Sequence, residues 1–120
     1  FVFLTPDQGE LIANRSIDLA VNTASFGEML PQQVAAYFGL LRRAMSNEGL
    51  FFTCNRVEKQ MRHHTPESTA AAPGAPIVIR FADYPWKAGD TDVFFGPSAF
   101  HQVIQPESPC LQRLCHLAPP

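Results

Sequence analysis

Apolar positions along this chain fall into short runs, and their spacing changes from one run to the next. Phe1-Val2-Phe3-Leu4 is β-prone and is closed by the turn chemistry of Thr5-Pro6-Asp7-Gln8-Gly9. Glu10 to Arg15 predicts a short helix or turn. Ile17 to Thr23 reads IDLAVNT: apolar apart from Asp18, then abruptly polar, as in a buried parallel strand. After Pro31 the apolar residues Val34, Phe38, Leu41 and Met45 recur every three or four positions, with Tyr37 alongside. That period predicts an amphipathic helix. Pro31 suits its first turn, Arg42 and Arg43 complement the dipole at its end, and Gly49 is the expected left-handed stop. Leu50 to Cys54 predicts the next strand, ending at the polar cluster Asn55-Arg56-Val57-Glu58-Lys59.

The pattern then loosens. His63 to Pro76 is small, polar and proline-bearing, and predicts a loop. Pro76 to Ala82 predicts a strand, broken at Asp83-Tyr84-Pro85-Trp86. Val93-Phe94-Phe95 and Phe100 to Ile104 predict further short strands. The chain from Gln105 holds four prolines and is expected to be irregular. The domain is therefore expected over residues 1–104, with a proline-rich tail over 105–120. Ser16 to Lys59 reads as strand, loop, helix, strand: an α/β crossover with polar residues at the strand exits. In open parallel sheets, ligands bind in the crevice beyond those carboxyl ends.

At 120 residues the chain is enough for one domain. A net charge of −2 gives no reason to expect nucleic acid or an anionic membrane as partner. No apolar run approaches the roughly 20 residues that span a bilayer. FVFL has no basic lead and no nearby cleavage site, so it does not read as a signal peptide. The three widely spaced cysteines, Cys54, Cys110 and Cys115, suit a reducing, cytoplasmic setting better than a disulfide framework. A start inside a strand-like run predicts a fragment whose upstream part is missing.

The segments FLTPDQ, IDLAVNTASFGEM, AAYFGLL, GLFFTCNRVEK and FADYPW together resemble the sugar O-methyltransferases, a family of class I S-adenosylmethionine-dependent methyltransferases. The resemblance covers about Phe1 to Trp86, with weaker support to His101. It implies a Rossmann-like α/β sheet ordered 3-2-1-4-5-7-6. Phe1–Leu4 would be strand three, Ile17–Thr23 strand four and Leu50–Cys54 strand five. Ile77–Phe81 and a later segment would be the last antiparallel pair. The chain would hold strands three to seven and lack the first two strands and the glycine-rich loop; it contains no GxGxG. The bare apolar edge of strand four is then expected to drive self-association or aggregation.

The resemblance implies S-adenosylmethionine as methyl donor and a sugar or glycoside hydroxyl as acceptor. Transfer needs a base for the hydroxyl proton and exclusion of water. Asp7 and Gln8 take the place where an acidic residue meets the adenine; a solvated turn is the plainer alternative. Asn22 and Thr23 would meet the methionine end of the cofactor, and Ser25 the acceptor, with helix capping as the alternative for Thr23 and Ser25. Glu28 would orient a hydroxyl, or act as base if burial raises its pKa; the alternative is a charge near a helix start. Asn55 and Arg56, nearest a strand exit, would contact the acceptor; a solvated cluster, or a Glu58–Arg62 pair on a helix, is the alternative for some of Asn55, Arg56, Glu58 and Lys59. His101 is a second candidate base. Tyr84 and Trp86 would stack on a sugar ring, or else cover the core. Some sugar methyltransferases use a divalent metal, but His63 and His64 are a weak signal and no convincing ligand set is found. Two other classes stay open: another doubly wound enzyme such as a dehydrogenase, and a non-catalytic remnant or interaction module.

Overall fold

The predicted crossover forms β1 (Ile17–Thr23), α1 (Pro31–Ala44) and β2 (Met45–Arg56). This computed structural model describes residues 2–61, 77–104 and 107–120. β1 and β2 are parallel, with Ala20 opposite Phe51 and Asn22 opposite Thr53. α1 lies on one face of that pair. Its stripe buries Val34 and Phe38 against Phe51 and Phe26, and the Phe38 and Phe51 rings meet edge to face at 5.8 Å. Truncating a ring in such a site typically costs about 3–5 kcal/mol.

The helix stops at Ala44, well before Gly49. Its last carbonyls are taken by the lead into β1: the Arg15 and Ser16 amides donate to the Arg43 and Ala44 oxygens at 3.1 and 2.7 Å. With those orphan groups satisfied, the chain turns extended at Met45 (φ −63, ψ 137) with no glycine needed. Gly49 instead lies inside β2, beside the register shift between Ile17 and Leu19. A Cβ there would sit 2.8 Å from the Ile17 carbonyl oxygen. The glycine permits a close backbone approach, a usual reason for glycine within a strand.

The remaining elements are β3 (Glu58–Met61), β4 (Ile77–Arg80), β5 (Thr91–Pro97), α2 (Ala99–Ile104) and β6 (Cys110–His116). The fold is α/β with a mixed four-stranded sheet ordered β1-β2-β6-β5, and β3 pairs with β4 in a separate ribbon. β6 is antiparallel to both β2 and β5.

Several expectations change here. Residues 2–4 form no strand; Val2 and Phe3 are 84% and 92% exposed, because no neighbouring backbone pairs with them. Ile77–Arg80 joins the ribbon rather than the main sheet, and Glu58 sits on a strand, not a helix, where it pairs with Arg80 at 2.9 Å. Phe100–Ile104 is helical, not extended. Residues 110–116, expected to be irregular, form the inner strand β6, whose backbone is paired on both sides. The expected loop, with His63 and His64, lies outside the described residues.

The two faces of the sheet differ. On the α1 side, Phe81, Tyr84 and Trp86 complete the aromatic core. On the other side, register aligns Val21, Phe52, Leu114 and Phe94 in one row across all four strands. Val21 is 62% and Phe94 47% exposed. α2 approaches the carboxyl end of β2, where His101 Nδ1 lies 3.9 Å from Cys54 Sγ.

Candidate functional site

Because β1 and β2 are parallel, Thr23 and Cys54 arrive opposite each other at the same end of the sheet. The chain beyond Thr23 turns sharply: Ala24 takes a left-handed conformation (φ 59) and its amide donates to the Cys54 carbonyl at 2.8 Å. That region costs a residue with a Cβ about 1 kcal/mol or more. The turn swings Phe26–Glu28 over the strand exit as a short 3-10 helix. A cavity of about 150 Å³ opens there, lined by Thr23, Glu28, Cys54, Arg56, Lys59 and His101, with Cys110 also on its wall.

The loop is held from beneath by four polar side chains. Asn55 is fully buried; its Nδ2 donates to Asn22 Oδ1 and to Thr53 Oγ1, both at 2.8 Å. Its Oδ1 accepts from the Gly27 amide at 3.3 Å. Asn22 Nδ2 in turn donates to Ser25 Oγ. Buried amides satisfied in this way fix a single loop conformation. Asn55, expected from sequence at the acceptor, is here engaged through both ends of its amide by Asn22, Thr53 and the Gly27 backbone. Asn22 and Ser25 face a separate groove of about 220 Å³, walled by Val21, Met29, Tyr37 and Leu41.

His101 stands on α2. Its Nδ1 is 2.8 Å from Ser98 Oγ and 3.9 Å from Cys54 Sγ. Ser98 is 4% exposed and its own amide donates to the Cys110 carbonyl at 2.9 Å, so the ring is anchored through Nδ1 to the β5–β6 junction. Nε2 is the nitrogen left for other chemistry.

Glu28 forms an ion pair with Lys59, and its side chain is 58% exposed. Glu28 thus stands as half of a charge pair at the cavity rim. Arg56 is exposed beside the cavity, opposite Cys110 in the ladder. Burial pushes the Cys110 thiol up, with the neighbouring Cys54 adding to this and Arg56 opposing it. All three cysteines are free and buried.

Other predicted residues lie elsewhere. Asp7 and Gln8 sit on an exposed 3-10 turn over Pro6–Leu11. Gln8 Oε1 accepts from the Thr5 amide at 2.9 Å, and the Thr5 hydroxyl holds the Asp7 carboxyl below its usual range. They are solvated turn chemistry and line none of the cavities described. Tyr84 and Trp86, the candidates for ring stacking, belong to the core. Tyr84 is buried among Phe26, Phe38 and Phe81, while Trp86 stands edge-on to Phe38 at 4.9 Å and donates Nε1–H to the Phe81 carbonyl at 3.0 Å. The Arg113 guanidinium stacks 4.2 Å over the Trp86 ring and closes that side.

Sequence reasoning passes over Cys54, Ser98 and Ala24 as site residues and ranks Lys59 below Asn55 and Arg56. The Ser98-x-x-His101 spacing at a helix start is a signal for one of them; the conformation of Ala24 leaves none. Among the described residues, no group of three or more His, Cys, Asp or Glu is arranged to hold a metal ion. No helix among them is long and apolar enough to cross a membrane. No family model matches the chain, and no curated protein and no solved structure matches it.

Proposed function

We propose that this chain is the carboxy-terminal part of a class I S-adenosylmethionine-dependent methyltransferase domain acting on a sugar hydroxyl in the cytoplasm. The observation that carries the reading is the strand order β1-β2-β6-β5, with β6 the lone antiparallel strand between β2 and β5. That order is compatible with the 4-5-7-6 half of the order 3-2-1-4-5-7-6. On this reading β5 and β6 would take the last two positions in place of Ile77–Phe81. Polar residues at the exits of β1 and β2 also stand where ligands of open α/β sheets bind.

The cofactor fits this chain at one end only. Asn22 and Ser25 border an apolar groove beside the unpaired edge of β1, which suits the methionine portion. Asp7 and Gln8 do not join that groove, so this chain offers no built adenine contact there. When bound, S-adenosylmethionine supplies the methyl group. The chain's own part falls to His101, which takes the acceptor proton at Nε2 while Ser98 fixes the ring at Nδ1.

Titration of the isotope-labelled chain with S-adenosylhomocysteine, followed by NMR, tests the reading. Weak binding is expected, with shifts concentrated in the amides of residues 22–29. No response there at saturating ligand would sink the cofactor assignment. A non-catalytic interaction module is the second reading; the exposed row containing Val21 and Phe94 favours it.

A further inference from the structure

The charges around the 150 Å³ cavity do not balance. Glu28 and Lys59 neutralise each other as an ion pair. Arg56 has no hydrogen-bond or ion-pair partner among the described residues, and it lines the same cavity as His101. The backbone that carries Arg56 is fixed: Val57 donates to the Pro109 carbonyl at 2.9 Å, and Arg56 pairs with Cys110 in the ladder. The rest of the wall, with Ala24 and the thiols of Cys54 and Cys110, carries no compensating carboxylate. A guanidinium at such a mouth presents a planar fork of N–H donors matched to two oxygens of one anion.

We infer that this cavity is an oxyanion site and that Arg56 receives the carboxylate or phosphate of an acidic sugar. Its volume suits one such group with part of a ring and is too small for a whole dinucleotide. The sugar as carrier of the anion rests on the methyltransferase reading; the anion site itself does not. Arg56 would hold the acceptor by its charge, while His101 stays free to meet a hydroxyl.

The test is NMR titration of the full chain at low salt with glucuronate, glucose and inorganic phosphate. Glucuronate should shift the Arg56 and His101 amides and bind about tenfold or more tighter than glucose, a usual gain for a hydrogen bond to a charged group. R56Q should lose that preference with its spectrum elsewhere unchanged. Should that variant fail to fold, high salt on the natural chain must weaken glucuronate and leave glucose alone. Equal affinity for glucose and glucuronate, or silence toward both anions, overturns the proposal. Binding of phosphate without glucuronate keeps the oxyanion site and overturns the sugar. Glucuronate binding in a chain that ignores S-adenosylhomocysteine supports the site while retiring the methyltransferase.

Discussion

Arg42 and Asp90 form a two-pronged ion pair in the interior, Nη1 to Oδ1 at 2.6 Å and Nη2 to Oδ2 at 2.9 Å. Their side chains are 5% and 0% exposed. The pair also collects loose backbone. Arg42 donates to the Ala118 and Pro85 carbonyls, and Asp90 accepts the Lys87 and Ala118 amides. It ties α1 to the segment before β5 and to the residues after β6, which are far apart in sequence.

Breaking this pair should cost about 3–5 kcal/mol, since a lone buried charge is left behind. Asp90→Ala should lower the chemical-denaturation midpoint accordingly. Replacing both partners by apolar residues should not restore stability, because the backbone groups they serve are then orphaned. The acid limb follows the same carboxylate. Burial works to raise the Asp90 pKa, but the Arg42 and backbone hydrogen bonds and the Arg42 charge hold it below its ordinary 3.8. A lowered native pKa contributes stability that is full above pH 3.8 and is lost as pH falls toward the native value. Asp90→Asn should remove that part of the acid-side slope; an unchanged slope would assign acid sensitivity to other carboxylates.

Ala24 and Gly49 are expected to respond in opposite ways. Ala24 holds φ 59 with a Cβ, so Ala24→Gly should stabilise the fold by up to about 1 kcal/mol. At Gly49 a Cβ would meet the Ile17 oxygen at 2.8 Å, and backbone cannot yield cheaply. Gly49→Ala should destabilise by about 1–3 kcal/mol. Thermal melts of the two variants decide this by the sign of their shifts.

Tyr84 carries the one buried side-chain polar atom without a partner among the described residues, its Oη. Burial pushes its pKa up to about 12. Tyr84→Phe removes an unpaired hydroxyl and keeps the ring packed on Phe26 and Phe81. Stability should stay level or rise by about 1 kcal/mol; a loss of that size would mean the hydroxyl is bonded after all.

The open face of the sheet should make the chain self-associate. Val21, Phe52, Leu114 and Phe94 bring no charge into the row, and the net charge of −2 offers little repulsion between copies. Sedimentation should show mass growing with concentration, and Val21→Lys should reduce it with little change in melting, because Val21 is 62% exposed. A monomer at every concentration would leave the interaction-module reading without support.

The sequence by itself determined the elements whose signal is local. Ile17–Thr23 forms β1 at the predicted bounds, but as the end strand of the sheet and not a buried one, with Leu19 and Val21 61% and 62% exposed; the period of Val34, Phe38 and Leu41 is set by side chains that face the core, so α1 starts where its pattern places it. The gathering of Thr23, Glu28, Arg56 and His101 around one cavity was legible only in part. The first three stand at strand exits, but α2 had to deliver His101. Tertiary structure decided what depends on distant backbone. Helix α1 ends at Ala44 because residues 15 and 16 take its carbonyls, not because of a glycine. β6 is a strand despite its proline-rich surroundings because β2 and β5 pair with it on both sides. Val2 and Phe3 lack that help and stay out of the sheet, although their β propensity is high. Tyr84 and Trp86 left the crevice for the core because the rings of Phe26, Phe38 and Phe81 offered them apolar contact, and burial of aromatic area is the larger free-energy gain.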